Sequence, residues 1–188
     1  MKKIQTAAIV ISVFLFSLTL RGYSSSDMER LLAQNACPGC SLKGADLSNA
    51  DLENANLEYA DLSKAKLNGA KLNGARLKGA FLRKSYLNGA NLSNADMREA
   101  DLRGAYLPWI DAEEANLKGA DLTGAFLFGA NLKKANLQGA NLQGANAESA
   151  CFKYANFKGA YLRAAVFRRA NIEDAVFDAA DMRQAIFK

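Results

Sequence analysis

The sequence predicts a solenoid: a chain of short sides, each ending in a corner, stacked into a rod with a continuous apolar interior. Two observations predict it. From Leu42 a large apolar residue returns every five positions, through Leu47, Leu52, Leu57, Leu62 and Leu67 to Phe177, Met182 and Phe187. Two residues before each stands alanine, from Ala45 to Ala185, replaced by Ser85 and Ile110, and the register never slips. Steps of five turn a helix by about 140° and flip a strand to its other side, so neither element could bury one such face. The chain must turn about once per repeat, with alanine and leucine both pointing inward.

Length and composition bound what such a rod can do. The chain has 188 residues, 50% of them apolar, which suffices for one domain with a sizeable core. It contains no histidine, so the commonest general base and neutral metal ligand are both missing. The recurrent Asp and Asn follow the repeat position, which explains them without chemistry, and no nucleophile with a base or metal set accompanies them. No catalytic, metal or cofactor residues are assigned.

Residues 1–24 read as an export signal. Lys2 and Lys3 precede an uncharged apolar run from Ile4 to Leu20, followed by small polar residues from Gly22 to Ser26. Cleavage is expected after Ser24; an uncleaved anchor is the competing reading, at the lower length limit for a span. Loss of this segment removes Lys2, Lys3 and Arg21 and no acid, lowering the formal charge from +5 to +2. Much of the basicity therefore belongs to the leader, and nucleic-acid binding is not expected.

Residues 25–39 are expected to form a short capping α-helix and a turn. Ser26 and Glu29 have capping-box spacing, Met28, Leu31 and Leu32 share one face, and Pro38-Gly39 ends the helix. About ten residues of helix need a surface to rest on.

Residues 40–188 carry the repeat. Read from Ala45, the units A-D-L-S-N, A-D-L-E-N, A-N-L-E-Y and A-D-L-S-K closely resemble the pentapeptide repeat family, A(D/N)Lxx. The resemblance implies an all-β, right-handed quadrilateral β-helix with twenty residues per coil. About seven and a half coils at about 4.8 Å spacing make a rod of roughly 36 Å. It also implies that residues twenty apart are vertical neighbours. Asp and Asn before each leucine should then face outward and satisfy backbone groups at the corners. Lys66 would cover Asp46, Lys71 would cover Asp51 and Lys78 would cover Glu58, so the basic run from Lys64 to Lys84 reads first as charge pairing along the rod.

In this register Tyr86, Tyr106 and Phe126 form an outward column, with Phe128 and Trp109 beside it. Such a patch serves either ring stacking or a protein partner. Ile110 fills an alanine slot and Ala112 a leucine slot, next to Pro108, and a local bulge is expected there. Toward the end, Val166, Phe167, Val176, Phe177, Ile186 and Phe187 make the last coils apolar. Some family members pair their C-terminal ends, and the resemblance implies a homodimer through these residues.

Cys37 and Cys40 leave three readings open: a disulfide, free thiols, or a thiol-disulfide redox pair. A disulfide is the simplest in an oxidising compartment. Zinc would need two further ligands, and Cys151, the third cysteine, is expected far along the rod.

Three function classes follow. An enzyme is not expected. The gyrase-binding subgroup of the family presents an acidic, DNA-like rod, which this composition matches poorly. Exported members of photosynthetic bacteria, some of them lumenal, match better. The expectation is a non-catalytic scaffold of the periplasm or thylakoid lumen, with an unidentified protein partner and no membrane span once the leader is removed.

Overall fold

A computed structural model of the chain describes residues 22–188. The expected export signal lies, up to Arg21 and including Lys2 and Lys3, outside the described residues. Among those described, no helix is long and apolar enough to cross a membrane.

The chain enters through helix α1, Ser25–Gln34. Its N-cap is Ser24, whose Oγ accepts the Asp27 N–H at 3.2 Å, so the expected Ser26–Glu29 capping box does not form. The start is set from outside the helix. Ser24 N–H donates to Ser41 O at 2.9 Å, and the Asp27 carboxylate accepts the Ser41 N–H at 2.9 Å instead of turning back on the cap. Asn35, at φ 51°, ends the helix by donating its N–H to Leu31 O. Leu31 is buried and Met28 packs partly against the same core.

From Ala36 onward, parallel bridges join every fifth residue, the one before each leucine slot, to the residue twenty further on, from Ala36–Asn56 to Val166–Ile186. The rod therefore begins before residue 40. Cys37, which the sequence leaves with the helix segment, already fills a leucine slot and donates its N–H to Asn56 O at 2.7 Å.

One five-residue side repeats throughout. The leucine N–H donates to the coil above, as Leu47 does to Lys66 O at 2.7 Å. The residue before it donates to the coil below, as Lys66 does to Ala45 O at 2.8 Å. Two residues past the leucine, φ is positive, and the next alanine closes the corner by donating back, as Ala45 does to Leu42 O at 3.0 Å. Glycine and asparagine recur at that third turn position because it demands φ above zero.

The N–H of the position just after each leucine finds no backbone acceptor, although its carbonyl accepts from the coil below, as Ser63 O does from the Gly44 N–H at 2.8 Å. The N–H of this position is taken by the side chain two residues earlier whenever that residue is Asp or Asn. Ser63 to Asp61 at 2.9 Å, Ser93 to Asn91 at 2.9 Å and Lys158 to Asn156 at 3.0 Å are examples. This Asx turn is the physical content of the A(D/N)L pattern.

Pro108 and Pro38 both occupy this position. A residue that lacks an N–H costs least where no backbone acceptor waits, and the residues two before them, Tyr106 and Ala36, offer no side-chain acceptor. The bulge expected at Pro108 is accordingly absent: Tyr86–Tyr106–Phe126 and Asn91–Asp111–Asn131 keep unbroken twenty-residue register. Ile110 and Ala112 are both buried, so large and small groups have exchanged places within the same interior volume.

The core is a column of buried alanine and leucine, with Ser85 admitted because its Oγ donates to Leu82 O at 2.7 Å. Phe152, Phe157 and Phe167 take over toward the end, with ring centroids 5.1 to 6.0 Å apart. Outside, Lys66 pairs with Asp46 at 3.5 Å as expected, and Lys71 stands opposite Asp51 in the ladder. Glu58, however, takes Arg76 at 2.8 Å and not Lys78. The guanidinium of Arg76 reaches sideways from its own column, where its fork meets the carboxylate with two donors.

Candidate functional site

Three places on the rod depart from the plain repeat, and the first is aromatic. Tyr86, Tyr106 and Phe126 stand in file, centroids 6.5 and 5.9 Å apart and rings tilted by 57° and 51°. Each stays nearly half exposed because the position before a leucine points outward. Trp109 and Phe128 form a second contact at 5.6 Å, edge to face at 86°. Trp109, at φ 53°, occupies the third turn position and is 59% exposed. All five expected residues thus lie on one side of the rod, as a file of three and a pair, with Pro108 buried between Tyr106 and Trp109. Residues 85–89, 105–109 and 125–129, which make up this face, contain no Asp, Glu, Lys or Arg.

The second place is the last coil. Phe177 stacks on Phe157 at 4.9 Å and Phe187 on Phe167 at 5.2 Å, both nearly parallel. Phe167 is therefore buried and does not belong to an end surface, contrary to expectation, while Val166 is half-buried on the flank. Val176, Met182, Ile186 and Phe187 are exposed, and Phe177 partly so. Among the described residues, no coil lies above the N–H groups of Ile172, Phe177 and Met182 to accept them. Asp181 keeps its carboxyl down at about 2, chiefly through hydrogen bonds from the Arg183 guanidinium, which donates from Nε at 2.8 Å and Nη2 at 2.6 Å.

The third place is the cysteine joint. Cys37 and Cys40 fill consecutive inward slots across one corner, with Cα atoms 5.4 Å apart and sulfurs at bonding distance. Cys40 N–H donates to Cys37 O at 3.2 Å, the closure used at the later corners from Ala45 to Ala105 and from Ala115 to Ala185, with Gly39 at φ 68° between. The guanidinium of Arg30 lies over both sulfurs, Nη2 2.6 Å from Cys40 Sγ and Nε 3.3 Å from Cys37 Sγ. Asp27, Cys37 and Cys40 bring three ligand-type atoms within 4.8 Å of one another, but the Arg30 guanidinium lies against both sulfurs and opposes a cation there. Cys151 is far off, bridged between Asn131 and Asn171. Sequence spacing names the cysteines but not Arg30, because nothing in a helical pattern marks which exposed residue meets a sulfur seven positions later.

The five-residue side and its corners are those of the pentapeptide repeat family, whose repeats match residues 39–79, 70–107, 113–146 and 150–188. The chain belongs to this family, and pentapeptide repeat proteins fold as right-handed quadrilateral β-helices. Among solved structures, HetL from the cyanobacterium Nostoc sp. strain PCC 7120 is 33% identical over 77% of this chain and 73% of its own, with a TM-score of 0.31. A thylakoid-lumen pentapeptide repeat protein of Arabidopsis thaliana is 30% identical over 69% of this chain and 67% of its own, TM-score 0.18. QnrB1, a plasmid-mediated fluoroquinolone resistance protein, is 22% identical over 68% and 67%, TM-score 0.40. Superpositions this loose add nothing to the repeat matches. Among curated proteins, none matches the sequence.

Proposed function

We propose that this chain is a non-catalytic interaction scaffold that works outside the cytoplasm, in a periplasm or thylakoid lumen. The observation that carries the reading is the uncharged aromatic face of Tyr86, Tyr106, Phe126, Trp109 and Phe128, held open on a rigid rod. Its occupant is a protein partner. Large rings on a preordered surface give contact area at little entropic cost, which is why aromatic residues anchor interfaces.

Helix α1 caps the first of about seven coils. The joint below it is closed as a Cys37–Cys40 disulfide, supported by the proximity of the sulfurs. The last coil associates with a second copy through Val176, Phe177, Ile186 and Phe187, which leaves fewer backbone and apolar groups exposed than a bare end.

A gyrase-binding DNA mimic is disfavoured, since Lys66, Lys71 and Arg76 replace acids on successive sides. Affinity capture from the native compartment, comparing wild type with Tyr106→Ala, tests the scaffold reading: one specific protein is expected with wild type and not with the variant. Equal recovery by both would overturn the aromatic surface. A reporter fused to residues 1–30 that stayed wholly in the cytoplasm would overturn export.

A further inference from the structure

Arg30 directs guanidinium donors at both sulfurs of the joint, and its Nη2 also donates to Pro38 O at 3.2 Å. Sulfur in a disulfide is a weak acceptor, whereas a thiolate accepts charged hydrogen bonds strongly. The two cysteines also differ. Cys37 Sγ lies 3.1 Å from the Asp27 backbone O, an acceptor that suits a thiol and repels a thiolate, while Cys40 Sγ has the shorter approach to Arg30. The carboxylate of Asp27 is engaged elsewhere, on the Ser41 N–H.

We propose that Cys37 and Cys40 form a reversible thiol-disulfide switch, in which Arg30 holds Cys40 as the thiolate of the reduced form and Cys37 donates its S–H to Asp27 O. The inference rests on the disulfide closure proposed above. Reduction exchanges a covalent bond within the first coil for an ion pair between that coil and α1.

The reductant is an external dithiol. Its thiolate attacks Cys37 Sγ, the Cys37–Cys40 bond breaks, and the electron pair leaves on Cys40 Sγ. The second thiol of the reductant, having lost its proton to solvent, attacks the mixed disulfide and releases Cys37, which takes up a proton. Two electrons have passed to the joint, and the dithiol has become a disulfide. Both cysteines are buried, so attack follows a local lifting of α1, and the helix returns with Arg30 onto the new thiolate. Arg30 thus acts on the balance between the two forms, as a positioning residue.

The test uses the full chain carrying Cys151→Ser, reduced and freed of reductant, with thiolate read by absorbance at 240 nm at pH 7. About one thiolate per chain is expected. Arg30→Gln should lower it about tenfold, toward the few per cent of an ordinary thiol, while Arg30→Lys keeps most of it. In dithiothreitol buffers Arg30→Gln should also shift the equilibrium about tenfold toward the disulfide. Circular dichroism checks that each variant is folded, and a variant that unfolds is replaced by Arg30→Met. A wild-type signal at the level of an ordinary thiol, or one unchanged in the folded charge-removing variant, overturns the proposal. Failure of the disulfide itself is seen separately, as free thiols by mass in the protein before reduction.

Discussion

The indole of Trp109 occupies the space in which a side chain on Gly129 would begin: a Cβ built on Gly129 falls 2.7 Å from Trp109 Cδ1 and 2.8 Å from Nε1. Glycine thus suits 129 twice, once because φ 64° costs it nothing and once because it leaves room for the ring one coil below. Gly139 has the same φ sense with nothing within 4 Å. Gly139→Ala should cost about 1 kcal/mol and Gly129→Ala about 2 kcal/mol or more. Trp109→Ala combined with Gly129→Ala should remove the excess, read by denaturant melts as a double-mutant cycle.

Ile110 and Ala112 exchange volume across one corner and are expected to behave as a unit. Ile110→Ala alone opens a cavity and should cost about 2 to 4 kcal/mol. Ala112→Leu alone overpacks the core, by about 1 to 3 kcal/mol. The double substitution restores the ordinary repeat, and urea melts should show recovery of most of the combined loss.

Pro108 stands where the backbone offers no partner to an N–H. Pro108→Ala should change stability by no more than about 0.5 kcal/mol. By contrast, Asn156→Ala removes the acceptor of the Lys158 N–H, at 3.0 Å, and should cost about 0.5 to 1.5 kcal/mol. Thermal melts of the two variants, side by side, check the ordering.

Asp181 carries the acid-dependent contact of the last coil. Its folded value, about 2, lies below the unfolded one. Its contribution to stability is therefore present above the unfolded value near 4 and is lost as pH falls toward 2. NMR titration of the carboxyl carbon should place its midpoint near 2, and Arg183→Gln should return it toward the ordinary aspartate range. The group is exposed, so the effect on the global melt is expected to be small.

Much of this architecture is legible from one periodicity. A repeat of five forces corners, the alanine and leucine slots define the interior, and Asp or Asn before each leucine marks an Asx turn found at each such position. The aromatic face was equally readable, since Tyr86, Tyr106 and Phe126 need only the twenty-residue register to fall in file. What escaped depends on contacts across the register. Ser24 wins the N-cap from Ser26 because Ser41 holds its backbone, and Arg76 wins Glu58 from Lys78 because a long fork can reach sideways. The bulge expected at Pro108 failed for a different reason. A proline disrupts a ladder only where its nitrogen was needed, and the repeat has one position per side where it is not.

Every vertical relation on this rod is an alignment of twenty residues, whereas its shape is built from units of five. Loss of one five-residue unit between Tyr86 and Tyr106 would leave each corner and core slot filled. It would nevertheless turn Tyr106, Trp109, Phe126 and Phe128 by a quarter revolution away from Tyr86. Gain or loss of a whole coil would lengthen or shorten the molecule and keep every column true. The fold thus tolerates change in steps of five, while any surface that spans several coils tolerates it only in steps of twenty, so shape and surface are inherited under different rules.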